Sequence, residues 1–305
     1  MRRHLLPRLP HLRSHRLRVA LPAAALAIAT LFGASGPAAA ATGAAPPRST
    51  TPSYYLALGD SLAAGYQSLP GGGHVTGRGY AQDIARTLGA RASASGLPFD
   101  FTDLGCPGET TGTMIDGGCP YPHPYADSQL SAAVDFLRRH HGDRVLVTLD
   151  IGANDVDGCL TGGKVDLPCA LTGVGTATRG LDTVLGRLRG AAGPHTRVLG
   201  MNLYDPFLAV WLTGGQGRAQ AALSVALVNV LNAAIGATDA AHGVPTVDVA
   251  GAFATDSFLP LVPWNGQRLP LNVARVMQWT NMARGDIHAD DTGYQAIADA
   301  FLARI

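Results

Sequence analysis

The sequence has no acidic residue before position 60, and the deficit belongs to one end of the chain. Residues 1–18 carry six arginines, Val19 to Phe32 is an apolar run, and the small-residue string GASGPAAAATGAA follows. A basic start, a short apolar middle and Ala38-x-Ala40 spacing make up a secretory signal peptide, so residues 1–40 are expected to be removed after Ala40. No cysteine stands at that cut, which argues against a lipid anchor. The apolar run is shorter than the roughly 18 residues a membrane span needs, and no later apolar run is expected to be long enough to cross a bilayer. No stable membrane anchor is expected. Arg2-Arg3 hints at twin-arginine export, but the residues after it do not complete such a signal.

Without residues 1–40 the basic excess disappears. Of 23 lysines and arginines, 17 remain against 22 acids, so the net charge moves from +1 to −5. A mildly acidic exported chain is a poor nucleic-acid binder, and no nucleic-acid partner is expected. There is no internal repeat, which excludes a solenoid. Residues 41–53, rich in Pro, Ala and Thr, read as a disordered leader. Residues 54–305 have the length of one domain.

Cysteine is scarce as well, and its spacing is informative. Cys106, Cys119, Cys159 and Cys169 are the only four, and none forms a Cys-x-x-Cys pair. That argues against zinc. An even count in an exported chain points to two disulfides. Local pairing, Cys106–Cys119 and Cys159–Cys169, closes two short loops, although three connectivities are open.

What the chain does have is Tyr54–Leu62, YYLALGDSL. It predicts a buried strand that stops at Gly59-Asp60-Ser61 and turns towards a helix. A serine at such a turn exposes its hydroxyl at the sheet edge with its backbone N–H aimed outward, a nucleophile and an oxyanion donor on one residue. Gly-Asp-Ser is also ordinary turn chemistry. Its weight comes from three later blocks, around Gly108, Asn154 and His288.

Residues 69–79 read as a Gly-rich flexible loop, and Tyr80–Leu88 as a helix stopped by Gly89. A second strand is expected over Pro98–Leu104, running into the turn Gly105–Thr110. Ser128–His140 reads as helix and Arg144–Leu149 as strand, ending at Ile151-Gly152-Ala153-Asn154-Asp155. Residues 156–172 read as loop, Val174–Arg189 as helix, and Arg197–Leu203 as strand. Gln216–Ala241 is a long helix, Thr246–Val249 a fifth strand, and residues 251–285 an irregular stretch. A last helix begins near Asp290-Asp291-Thr292 and carries Ile297, Phe301 and Ile305 inward. Five apolar strands alternating with helices predict an α/β fold with a parallel sheet covered on both faces. Ligands of such sheets sit beyond the carboxyl ends of the strands, where Ser61, Gly108 and Asn154 all fall.

A serine nucleophile needs a base, and donors where the oxyanion develops. His288, in GDIHADDTGY, is the candidate base. The other histidines are lost with the leader or sit in loops and at helix ends. Asn154 is a candidate side-chain donor and Gly108 a backbone donor whose missing Cβ admits substrate. Asp60, Asp155 and Glu109 read as braces for their loops rather than as acids.

These blocks resemble the SGNH (GDSL) hydrolase family. Gly59-Asp60-Ser61-Leu62 matches its first block, Gly108 in CPGETT its second, Gly152-x-Asn154-Asp155 its third, and His288 with Gly293-Tyr294 its fifth. The resemblance implies a three-layer α/β/α flavodoxin-like fold with a five-stranded parallel sheet. It also implies serine esterase or lipase activity without metal or cofactor, and the exported, cysteine-bearing form is similar to secreted actinobacterial members. One departure stands out. The family places Asp three residues before the histidine, where this chain has Gly285, and the nearest acid is Asp286. Either the Asp286 carboxylate or a main-chain carbonyl at 285–286 is then the group that orients His288.

The expectation is a secreted, extracellular, monomeric serine carboxylic-ester hydrolase acting on small-molecule or lipid esters. Phe253, Phe258, Leu259, Leu261, Val262, Trp264 and Trp279 are expected near the histidine loop, either as an acyl-binding surface or as plain core cover. A carbohydrate O-acetyl esterase and a non-catalytic binding protein on the same fold are the alternatives.

Overall fold

The computed structural model describes residues 51–69, 72–161 and 164–305; the expected signal peptide, and the expected leader up to residue 50, lie outside the described residues. In chain order, strand β1 is Tyr54–Gly59, and β2 (Tyr66–Leu69) and β3 (Gly72–Val75) form a hairpin before helix α1, Tyr80–Ala94. Strand β4 (Asp100–Asp103), α2 (Thr111–Asp116), α3 (Gln129–Arg139) and β5 (Val145–Asp150) follow. A 3₁₀ turn at Asp157–Cys159 leads to the small hairpin β6 (Leu160–Thr161) and β7 (Lys164–Val165), then α4 (Leu167–Ala191) and β8 (Thr196–Met201). A second 3₁₀ stretch, Pro206–Thr213, precedes α5 (Gly215–Ala241), β9 (Thr246–Val247) and α6 (Val249–Ala252). The hairpin β10 (Leu261–Trp264) and β11 (Gln267–Pro270), α7 (Leu271–Trp279), a 3₁₀ turn at Asn281–Arg284 and α8 (Asp291–Leu302) complete the chain.

The main sheet is parallel with five strands in the order β4-β1-β5-β8-β9. Its hydrogen bonding reaches back to Ser53, which donates to the Arg144 carbonyl and accepts from Asp100 N–H. The apolar run of β1 is what a central parallel strand needs, since Tyr55 to Leu58 are buried by helices on both faces. Because the chain leaves β1 for β4 on one side and returns to β5 on the other, right-handed crossovers place the helices in two layers. On one face α1 packs against α8, with Tyr80 stacked on Phe301; on the other α3, α4 and α5 lie in a row. This is the α/β/α flavodoxin-like arrangement, and its switch point lies between the carboxyl ends of β1 and β5.

Several local expectations change. Gly89 does not stop α1: Leu88 and Ala92 are both buried one turn apart, which holds the helix to Ala94 against the ~1 kcal/mol cost of a mid-helix glycine. No helix follows Ser61. One helical bond forms, Ala64 N–H to Asp60 C=O, and then Gly65 at φ +69° sends the chain into the β2–β3 hairpin, so part of the expected Gly-rich loop is strand. Helix α4 begins seven residues earlier than its apolar spacing suggests, because Asp166 caps it by accepting from Cys169 N–H at 3.0 Å, with Pro168 in the first turn. Helix α5 has a mean hydropathy of 1.7 over 18 residues, enough by length and composition to cross a membrane; Ser224, Asn229 and Asn232 hide this from a count of consecutive apolar residues. In the fold α5 packs against α4 and the 206–213 stretch.

Residues 251–285 hold regular structure rather than an irregular cover. Phe258, Val262 and Trp264 pack on Leu208, Val225, Leu269 and Val273 in a second, separate cluster. Phe253 is fully buried, stacked on Tyr204 and edge-on to Trp279.

Candidate active site

The turn after β1 is built for close approach. Gly59 sits at φ +144°, and a Cβ there would collide with the main chain and carboxylate of Asp150. Gln129, fully buried on α3, clamps Gly59 from both sides: its Oε1 accepts from Gly59 N–H at 2.7 Å and its Nε2 donates to Gly59 C=O at 2.9 Å. Asp60 accepts from Leu62 N–H at 2.9 Å and closes the turn. From the opposite layer the phenol of Tyr294 donates to the Tyr66 carbonyl at 2.6 Å, pinning the far end of the turn. Ser61 is thereby fixed at the carboxyl end of β1, 8% exposed.

His288 reaches it from the loop before α8. Its Nε2 lies 2.8 Å from Ser61 Oγ, while the Asp60 carboxylate is more distant from the hydroxyl at 3.4 Å. The other ring nitrogen, Nδ1, lies 2.5 Å from Asp286 Oδ1. The Asp286 carboxylate, not a carbonyl, therefore stands beside Nδ1, and the geometry fits one tautomer: Nδ1–H donating to Asp286, Nε2 accepting from the serine. Burial alone would raise the Asp286 carboxyl, but the hydrogen bond and charge of His288 outweigh it and hold the group below its ordinary value. The loop is held by Tyr204, whose hydroxyl donates to Ile287 C=O at 2.8 Å, and by Asn281 N–H, which donates to His288 C=O at 2.9 Å. The shift of Asp by one place is accommodated by Gly285, which closes the 3₁₀ turn at φ +76°.

Asn154 follows β5. Its Nδ2 donates one hydrogen to Glu109 C=O at 2.9 Å, which leaves the second free. The backbone N–H groups of Ser61 and Gly108 have no acceptor among the described residues. Gly108 is exposed at φ +80°, one residue from the carbonyl that Asn154 holds. It does not line the cavity beside Ser61, whereas Asn154 does. Asp155 braces α2, accepting from Thr111 N–H at 3.0 Å and Thr111 Oγ1 at 2.8 Å. Glu109 is fully buried and accepts from Tyr125 and Gln129, so Gln129 joins the first and second blocks.

Under the serine turn lies a feature the sequence did not disclose. Asp150 at the end of β5 accepts from the Tyr80 hydroxyl and, at 3.4 Å, from Asp60 N–H. Burial pushes both carboxyls up, Asp150 well above its ordinary value, where the neighbouring Asp60 raises it further.

Cys106 pairs with Cys119 and Cys159 with Cys169, at Cα separations of 6.3 and 5.5 Å. The first bridge closes the loop carrying Gly108; the second ties the 157–159 turn to the first turn of α4. Cys106, Glu109 and Cys119 sit close enough to resemble a metal site, but the two sulfurs are joined to each other.

Ser61, Asn154 and His288 open on a cavity of about 90 Å³. That is several times the ~10–15 Å³ that one water requires. Its walls come from α4, α5 and the segment after β8: Val174, Phe207, Leu227, Val228 and Leu231 among them. None of the seven apolar residues expected from 251–285 lines it: Phe253, Phe258, Val262, Trp264 and Trp279 pack into the two hydrophobic clusters, while Leu259 and Leu261 are exposed.

The family model described as GDSL-like Lipase/Acylhydrolase matches residues 57–296. Solved structures with a similar fold include an extracellular lipase from Streptomyces rimosus, 20% identical over 83% of this chain and 100% of that one, with a TM-score of 0.49. A phospholipase A1 from Streptomyces albidoflavus is 21% identical over 83% and 100% of the two chains, with a TM-score of 0.45. The acetyl xylan esterase AlAXEase is 13% identical over 83% and 99%, with a TM-score of 0.49. No curated protein matches the chain.

Proposed function

Because the chain belongs to the GDSL-like lipase/acylhydrolase family, we propose that it is a secreted serine carboxylic-ester hydrolase of the actinobacterial type, acting on lipid or other acyl esters through an acyl-enzyme at Ser61. The observation that carries this reading is the hydrogen-bonded chain Asp286–His288–Ser61 opening on an apolar-walled cavity.

Ser61 Oγ attacks the ester carbonyl carbon while His288 Nε2 takes its proton; Asp286 holds the tautomer and stabilises the imidazolium. The oxyanion is met by N–H groups that have no other acceptor, those of Ser61 and Gly108, together with the second Nδ2 hydrogen of Asn154. As the bond to the alcohol oxygen breaks, the imidazolium returns its proton to that oxygen and the alcohol leaves. Water, deprotonated by His288, then attacks the acyl-enzyme, releasing the acid and restoring Ser61.

The cavity walls favour an apolar acyl chain over a sugar. Hydrolysis of p-nitrophenyl esters from acetate to palmitate tests this: kcat/KM is expected to rise from acetate to a short or medium chain and fall by palmitate. Activity on acetate alone would favour the O-acetyl esterase, and a folded protein inert to the whole series would refute the reading.

A further inference from the structure

Three acids line the cavity beside Ser61, namely Asp60, Asp157 and Asp205, and among the described residues no lysine or arginine does. Two have partners. Asp60 accepts from Leu62 N–H, and Asp205 accepts from Ser224 Oγ at 2.6 Å and Phe207 N–H at 2.9 Å. The half-buried carboxylate of Asp157 accepts no hydrogen bond and pairs with no cation among the described residues. The Asp157 oxygens stay open to the cavity, so a substrate that fills it displaces their solvation and leaves a charge that a cation would satisfy.

The main chain holds it there. Asp157 N–H donates to Ala153 C=O at 3.0 Å, and two residues later Cys159 is bridged to Cys169 on α4. A carboxyl held in place without a protein partner, in the same cavity as the nucleophile and base, is suited to a cation that arrives with the substrate. We propose that Asp157 is a specificity residue for esters carrying an ammonium or trimethylammonium group, which it pairs with inside the cavity. The Phe207 ring, also on the wall, suits a trimethylammonium face. This rests on the reading of Ser61 as the nucleophile and narrows its substrate class.

The preference has a pH signature. Burial, with Asp60 from the turn after β1 and Asp205 from the segment after β8, raises the Asp157 carboxyl to about 7, against the opposing charge of His288 from the loop before α8. The anion that attracts a cation therefore fills in as pH rises through about 7, and the preference grows with it.

The test compares kcat/KM within two isosteric pairs: butyrylthiocholine against 3,3-dimethylbutyl thiobutyrate, and p-nitrophenyl 4-aminobutyrate against p-nitrophenyl pentanoate. At pH 8 one charged member should be preferred by roughly tenfold or more, a modest share of a close pair's attraction at intermediate dielectric. That charged-to-neutral ratio should shrink towards pH 6 and collapse in Asp157→Asn. Calorimetric binding of butyrylthiocholine to Ser61→Ala at pH 8 reads the same contact without turnover, and should weaken by a similar factor in Ser61→Ala/Asp157→Asn. Neutral esters turned over with a ratio near one, or a ratio and a binding constant indifferent to Asp157→Asn, would overturn the proposal alone. Loss of all turnover would bear on the nucleophile instead, and the binding arm would still decide for or against Asp157.

Discussion

Replacing Asp286 by asparagine isolates what the carboxylate does for His288. In the native site Nδ1–H points at Asp286 Oδ1 across 2.5 Å, which leaves Nε2 unprotonated to accept from Ser61 Oγ at 2.8 Å. An asparagine of the same shape can present its NH₂ to Nδ1, moving the ring proton to Nε2, where the ring can no longer take a proton from serine. In a well-studied serine triad this change lowers kcat by ~10⁴, equivalent to about 5.5 kcal/mol of transition-state stabilisation. Asp286→Asn is therefore expected to lower kcat/KM on p-nitrophenyl butyrate by ~10³–10⁴ with little change in Tm. Two neighbours serve as controls. Asp290 caps α8, accepting from Thr292 and Gly293 N–H at 2.9 and 3.0 Å, so Asp290→Ala should cost about 1 kcal/mol of stability and leave activity per folded molecule near wild type. Asp291 pairs with exposed Arg78 and accepts from the buried Gln67 side chain, away from His288, and Asp291→Asn should change kcat/KM by less than about threefold. Activity of Asp286→Asn within tenfold of wild type would refute the reasoning and return the role to the backbone.

Asn154→Ala should reduce kcat by ~10²–10³ with little change in KM; because its Nδ2 also holds Glu109 C=O, a loss of about 1 kcal/mol in stability should accompany it. A folded fraction with wild-type kcat would make Asn154 a purely structural residue. Stability should also depend on pH in a definite direction. Burial raises Asp205 and Asp239 to about 6 and Asp103 to about 7 from an ordinary 3.8, so between those values the folded chain holds protons that the unfolded chain has released. Stability from these groups is complete below the unfolded value and is lost as pH rises through the folded ones, so Tm should fall from pH 5 to pH 8 and fall less in Asp205→Asn. A Tm that climbs over that interval would contradict the assignment.

The parts of this fold that could be read from the sequence are those set by local chemistry. The apolar run of β1 and the helical spacing of Leu130, Val134 and Leu137 on α3 each announce their element within a few residues. Gly-Asp-Ser at a strand end is weaker alone; Ser61, Asn154 and His288 are legible because their blocks occur together and in the order of one family. The groups that hold them are not. Gln129 acts on Gly59 from 70 residues away, and nothing local distinguishes it from an ordinary helix residue; Tyr294 belongs to the fifth matching block, but its reach to Tyr66, 228 residues away, has no local sign. The apolar stretch at 251–285 leaves two readings open, because apolar side chains look the same whether they line a substrate cavity or close a core. Phe258, Val262 and Trp264 build a second cluster, Phe253 and Trp279 join the main core, and the cavity draws its walls from α4, α5 and the segment after β8. Asp286 was ambiguous for a different reason. Sequence spacing fixes residue count but not the turn at Gly285 that brings its carboxylate round to Nδ1.

The central claim is that Ser61 is the covalent nucleophile, activated by His288. Intact mass and peptide mapping after treatment with a fluorophosphonate measure this directly. One phosphonyl adduct per chain is expected, on the peptide containing Ser61; it should be absent in Ser61→Ala and strongly slowed in His288→Ala. An adduct on any other residue, or undiminished labelling of Ser61→Ala, would contradict the account.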